Sequence, residues 1–296
     1  MKHMHNPITM RKTEYSSPEW IRKSVSLLRY PIILFCTILF FQGCTVNNVD
    51  LDESIGKYFD AQGAVGTFGM FDNSRGRFTI YDLDRFKKRY SPASTFKIVN
   101  ALIGLQTGRL TSDSTVIPWD GITREKTEWN RDLSLYQAFR LSAVPHFQSL
   151  ARQIGRDTMK FWIDSLKYGN MRIGKAVDSF WLDTTLLISP DEQLGLVKRL
   201  YFRQLPFRAS IQESVKKMMI RENNASYQLA YKTGMSQTEA GKTMAWMVGW
   251  IEENRHVYPF VLHLETDNKK GSDITQVREK ILKDILAHIG FFKGKM

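Results

Sequence analysis

YQLAYKTGMSQTEAGKTMAWMVGWIEENRHVYPFVLHLE, residues 227–265, reads as three consecutive strands. Tyr227 to Thr233, Thr243 to Ile251 and Val257 to Glu265 are rich in aromatic and β-branched residues, and Glu252-Glu253-Asn254-Arg255 joins the last two as a hairpin. Near the start, Val65 to Phe71 and Arg77 to Tyr81 form a second sheet-like block around the loop Asp72-Asn73-Ser74-Arg75-Gly76. The last segment carries Ile274, Val277, Ile281, Ile285 and Ile289 at helical spacing. Between the blocks, residues from about 94 to 220 are mostly helical in period, as in Phe96 to Gln106, ended by Gly108, and Pro190 to Tyr201. Chain ends that build one sheet around a helical insertion predict an α/β (α+β) fold. It has a central antiparallel sheet, flanking N- and C-terminal helices and an all-α subdomain over roughly 94–220. A cleft belongs where the two parts meet, and ligands favour such places.

The first 43 residues read differently. Lys2, Arg11, Lys12, Arg22, Lys23 and Arg29 precede an apolar run from Pro31 to Phe41, followed by Gln42-Gly43-Cys44. A basic lead, a short apolar stretch and a small residue form an export signal, and the run is shorter than the roughly 20 residues of a membrane span. A buried core strand is the plainer alternative, but it does not account for the basic lead. Gly43-Cys44 suggests cleavage before Cys44 and a lipid on that cysteine, although Phe41 and Gln42 fit a lipobox poorly. Translation could also start at Met4 or Met10. The expected organisation is an export signal over 1–43, a linker over 44–60 and a catalytic domain over 61–296, lying outside the cytoplasmic membrane. Cys36 and Cys44 are the only cysteines, so the mature chain is expected to rely on its core rather than on disulfides.

The formal charge is +12; six basic and two acidic residues in the first 43 leave +8 on the rest. Those charges are scattered, without a basic stripe interleaved with aromatics, which argues against nucleic-acid binding. His146, His256, His263 and His288 form no metal-ligand spacing, so a zinc enzyme is disfavoured and no metal is expected.

Ser94-Thr95-Phe96-Lys97 is the first chemical candidate. Residues three apart share a helix face, so Lys97 can reach Ser94 Oγ, and backbone N–H groups at the helix start can face an oxyanion. A serine is a weak nucleophile until a base takes its proton, and a lysine serves only if burial depresses its pKa. The pattern alone is weak, because Ser54/Lys57 and Ser214/Lys217 repeat it. Lys232-Thr233-Gly234 at a strand end is the second candidate. Its cation and hydroxyl suit a carboxylate, and its glycine permits close approach of a ligand to the strand. Gly241-Lys242-Thr243 imitates a phosphate loop, but six residues separate Gly234 from Gly241 where that motif requires four.

A Ser-x-x-Lys at a helix start followed by Lys-Thr-Gly on a late strand is similar to the signature of penicillin-recognising serine acyltransferases. The segments between them resemble the class D (oxacillinase) β-lactamases specifically: Leu141-Ser142-Ala143-Val144-Pro145, Tyr168-Gly169-Asn170, Asp178-Ser179-Phe180-Trp181-Leu182, Trp119-Asp120-Gly121 and Trp129-Asn130-Arg131-Asp132. Arg278 falls where that family keeps a carboxylate-binding arginine. The resemblance runs from about residue 60 to the C-terminus in order.

The resemblance implies a β-lactamase/transpeptidase-like fold and hydrolysis of β-lactam antibiotics. Ser94 would be the nucleophile and Lys97, N-carboxylated by carbon dioxide or bicarbonate, the base, with no other cofactor. Trp181 would hold the carbamate, Ser142 would relay a proton, and the N–H groups of Ser94 and Met235 would form the oxyanion hole. Lys232, Thr233 and Arg278 would anchor the drug's carboxylate, while Val144, Tyr168 and Gly234 would line the substrate site. Each segment also has a structural reading: Trp181 and Val144 as core, Tyr168-Gly169-Asn170 as a turn, Arg278 as a surface charge. A β-lactam sensor that is acylated but turns over slowly, and a cell-wall transpeptidase, are the competing functions. A monomer and a dimer are both compatible with the sequence, as is membrane attachment through a lipid on Cys44.

Overall fold

The computed structural model describes residues 48–238, 240–267 and 274–293. The expected export signal, Cys44 and the first residues of the expected linker lie outside them. The first part runs β1 (Val49–Leu51), α1 (Gly56–Asp60), β2 (Ala64–Asp72), β3 (Arg77–Tyr81) and α2 (Leu83–Lys87). A 3-10 turn at Ala93–Phe96 then leads into α3 (Lys97–Gln106). Next come the short strands β4 (Val116–Ile117) and β5 (Leu133–Ser134), then α4 (Leu135–Arg140), α5 (Val144–Ile154), α6 (Arg156–Leu166), α7 (Pro190–Tyr201) and α8 (Ala209–Met219). The chain closes with β6 (Ile220–Asn223), β7 (Tyr227–Gln237), β8 (Thr243–Glu253), β9 (His256–Thr266) and α9 (Ile274–Ile289).

Seven strands form one sheet in the order β1-β3-β2-β9-β8-β7-β6, so the two chain ends meet where β2 pairs with β9. Every pairing is antiparallel except that of β1 with β3. β8 explains why the late stretch is so apolar. Both of its faces are covered, and side chains alternate between them along a strand. Trp246, Val248 and Trp250 enter the core shared with the inserted helices, while Ala245, Met247 and Ile251 enter the core under α1 and α9. Helix ends carry their own signals: Ser134 with Gln137, and Ser189 with Glu192, form capping boxes at the starts of α4 and α7.

Three local expectations change. β7 continues to Gln237, paired with Thr243 of β8, so Lys232-Thr233-Gly234 lies inside a strand rather than at its end. The β8–β9 loop shrinks from four residues to two, because Asn254 and Arg255 both take positive φ (52° and 66°) and make a tight turn matching the strand twist. The described part of the expected linker is built into the domain: β1 extends the sheet edge, and Ile55 and Phe59 are buried against α9 and its neighbours. Segments so short carry too few residues for a readable period.

Candidate active site

Ser94 sits on the 3-10 turn, one residue after Ala93, whose φ of 47° turns the chain sharply into the helix. The helix proper begins at Lys97 rather than at the serine, but the spacing of three still brings Lys97 Nζ to 2.8 Å from Ser94 Oγ. Lys97 is fully buried, with the Phe147 ring 5.5 Å from its nitrogen. Burial strips water from the charged amine and lowers its pKa to about 7, helped by the Lys126 cation. The turn itself is braced from below. Gln193 of α7 donates to Thr95 Oγ1 at 2.7 Å, and Thr95 Oγ1 donates to Pro92 O at 2.7 Å.

A second serine–lysine pair stands beside the first. Ser142, between α4 and α5, takes a φ of 56°, and Lys232 Nζ of β7 donates to its Oγ at 2.8 Å and to Thr233 O at 2.9 Å. Lys232 is fully buried as well, and its pKa is driven well down by burial and then by the positive charges of Lys97, Arg221 and Arg278. Gly234 is what lets β7 approach the Ser94 turn. A Cβ there would lie 3.0 Å from Pro92 O and 3.1 Å from Thr95 Cγ2. The close approach expected of a ligand is therefore made by the chain itself. Arg278 of α9 is buried and donates to Gly234 O at 3.4 Å, while Thr233 is half-buried and Met235 half-exposed.

Trp181 is fully buried and stacks on Phe96, the residue before Lys97, with ring centroids 5.2 Å apart. Its indole Nε1 has no hydrogen-bond partner among the described residues. A buried donor left unsatisfied carries a desolvation cost and suits an acceptor arriving at that place. Tyr168 differs from its expected place in the substrate site: its ring is buried edge-on against Phe96, behind the serine turn. The rest of its motif is a clamp. Asn170 Nδ2 donates to Thr185 O at 2.9 Å and its Oδ1 accepts from Leu187 N at 3.1 Å, tying down the loop that carries Trp181. Val144, read as core, is only half-buried, because it opens α5 instead of lying within it.

The residue 60–287 stretch matches the family model for the penicillin binding protein transpeptidase domain. A probable β-lactamase of Bacillus subtilis, YbxI, is 41% identical over 210 residues, covering 71% of this chain and 78% of that protein. The solved class D β-lactamase FUS-1 (OXA-85) of Fusobacterium nucleatum is 33% identical with a TM-score of 0.77, over 82% of this chain and 100% of that one. This chain belongs to the class D β-lactamase family. The C-terminal domain of the Bacillus licheniformis BlaR penicillin-receptor shares the fold at a TM-score of 0.78 and 31% identity, over 83% of this chain and 98% of that one.

Several residues of this class D site carried no sequence signal. Gln193 and Asn100 are polar side chains on apolar helix faces, visible only through burial. Arg221 lies in a bulge between the paired positions Ile220 and Glu222 of β6; it donates to Tyr231 O at 3.3 Å and adds positive charge near Lys232. Lys126 reads as a loop charge until the fold brings it to bear on Lys97.

Proposed function

We propose that this protein hydrolyses the β-lactam amide of penicillin-type antibiotics through an acyl-enzyme on Ser94, and so confers resistance. The single observation that carries the reading is Lys97 Nζ at 2.8 Å from Ser94 Oγ, in a site dry enough that a large share of the amine is neutral near pH 7. Ser94 Oγ attacks the lactam carbonyl while its proton passes to the Lys97 side. The backbone N–H groups of Ser94 and Met235 stabilise the oxyanion. Ser142, paired with Lys232, passes a proton to the departing ring nitrogen. Among the described residues Lys232 has no acidic partner, so the drug's carboxylate supplies the missing counter-charge, with Thr233 and Arg278 completing its anchor.

The residues also fit a carboxylated Lys97. A neutral amine can attack carbon dioxide, forming the N–C bond and releasing one proton, and Trp181 Nε1 is a buried donor in need of an acceptor. Such a carbamate supplies a carboxylate base for acylation and for activating the deacylating water. Export through the leading segment, a lipid on Cys44 and a location outside the cytoplasmic membrane belong to the same proposal.

The alternative is a sensor that is acylated and stays so, a reading favoured by the similarity to the BlaR domain. Turnover of a chromogenic cephalosporin by purified protein with added bicarbonate separates them. Repeated turnover, absent from Ser94→Ala and Lys97→Ala, supports the hydrolase. A single stoichiometric burst leaving an adduct on Ser94 supports the sensor.

A further inference from the structure

A separate cavity of about 430 Å³ opens at the end of β8 opposite the stretch that pairs with Gly234. Its floor includes Glu253, the last residue of β8, in the odd-numbered row that packs under α9. The tight turn at Asn254 and Arg255 fixes that register, so the carboxyl is held in the sheet face rather than released to solvent. Glu253 is only 6% exposed, and its Oε1 has no hydrogen-bond partner among the described residues. A buried carboxylate oxygen left without a donor is costly, and nothing in the catalytic mechanism uses this one.

The surroundings select a positive ligand. Asp72 contributes a second carboxyl to the lining. Ile289 and Gly290 bring the C-terminal end of a sixteen-residue helix, whose carbonyls carry partial negative charge. Tyr258 and Phe291 meet edge to face at 4.8 Å and offer an aromatic wall for an apolar body or a cation. Two basic side chains share the lining, Arg75 and His256. Arg75 is 79% exposed and turned to Asp72 at 3.8 Å, His256 is exposed, and neither pairs with Glu253.

We propose that this cavity binds a small organic ammonium ion with an apolar body, its charge on Glu253 and its body against Tyr258 and Phe291. The site is independent of β-lactam chemistry and can be tested without it. The probe is benzylamine, titrated into the full chain at pH 7 and followed by backbone amide NMR shifts, with benzyl alcohol as the uncharged match. The expected result is saturable shifts at Glu253, Asn254 and Gly290 for the amine, at least tenfold weaker for the alcohol. Glu253→Gln is expected to weaken benzylamine at least tenfold while turnover of a chromogenic cephalosporin stays at the parental level. Asp72→Asn gives the same direction with a smaller loss, and stands in if Glu253→Gln does not fold. Equal binding of amine and alcohol, unchanged affinity in both variants, or no shifts at these residues overturns the proposal.

Discussion

Gly234 and Thr95 are in contact across the interface between the sheet and the inserted helices: a Cβ on Gly234 would stand 3.1 Å from Thr95 Cγ2. The strand bearing Lys232 and the turn bearing Ser94 thus set each other's position through the absence of one methyl group. Gly234→Ala is expected to push the turn outward by a few tenths of an ångström and cost about 1–3 kcal/mol of stability. Urea unfolding measures the stability loss, and a slower acylation burst measures the displaced serine. Unchanged burst kinetics in a folded variant would show that the contact does not govern Ser94.

Lys97 is held with a pKa of about 7, far below its value of about 10.5 in an unfolded chain. Between those values the unfolded state binds the proton and the folded state does not, so stability rises with pH across this window; below about 7 the full penalty of the buried amine applies. Lys97→Met removes the group. In bicarbonate-free buffer it is expected to raise stability at pH 7 by on the order of 3 kcal/mol, with the gap narrowing toward pH 10, and to abolish turnover. Denaturation midpoints at four pH values test the sign. A gap that widens with pH would refute the depressed pKa.

Trp181→Phe keeps an aromatic ring beside Phe96, deletes the N–H that has no partner among the described residues, and also removes the second indole ring from a fully buried place. The fold is expected to persist while deacylation slows roughly 10–100-fold, the value of one hydrogen bond to a charged group. Mass spectrometry should then find acyl-enzyme accumulating on Ser94, and raised bicarbonate should restore part of the rate. Equal loss of acylation and deacylation that raised bicarbonate does not relieve would assign Trp181 a purely packing role.

Gly169 has a φ of 55°, and a Cβ there would fall 2.0 Å from Leu187 O, which is backbone and cannot rotate away. Gly169→Ala is expected to cost more than about 2 kcal/mol and to loosen the clamp that Asn170 closes on Thr185 and Leu187. Limited proteolysis between residues 171 and 188 reads the loosened loop directly, and resistance equal to the parent would count against the clamp.

The sequence by itself determined the elements whose signals are local. The alternation and apolar runs of 227–265 placed β7, β8 and β9, the 3.6-residue period placed α9 at Ile274–Ile289, and the three-residue spacing of Ser94 and Lys97 put their contact within reach. Only the tertiary structure decided relations between distant segments. Ser142 meets Lys232 ninety positions away, Gln193 braces Thr95, and Tyr168 turns inward behind the serine turn instead of facing a ligand. The physical reason is the nature of the forces. Periodicity and caps act within a few residues, whereas burial, which depresses both lysines and leaves Trp181 Nε1 and Glu253 Oε1 without partners among the described residues, exists only once both faces of the sheet are covered.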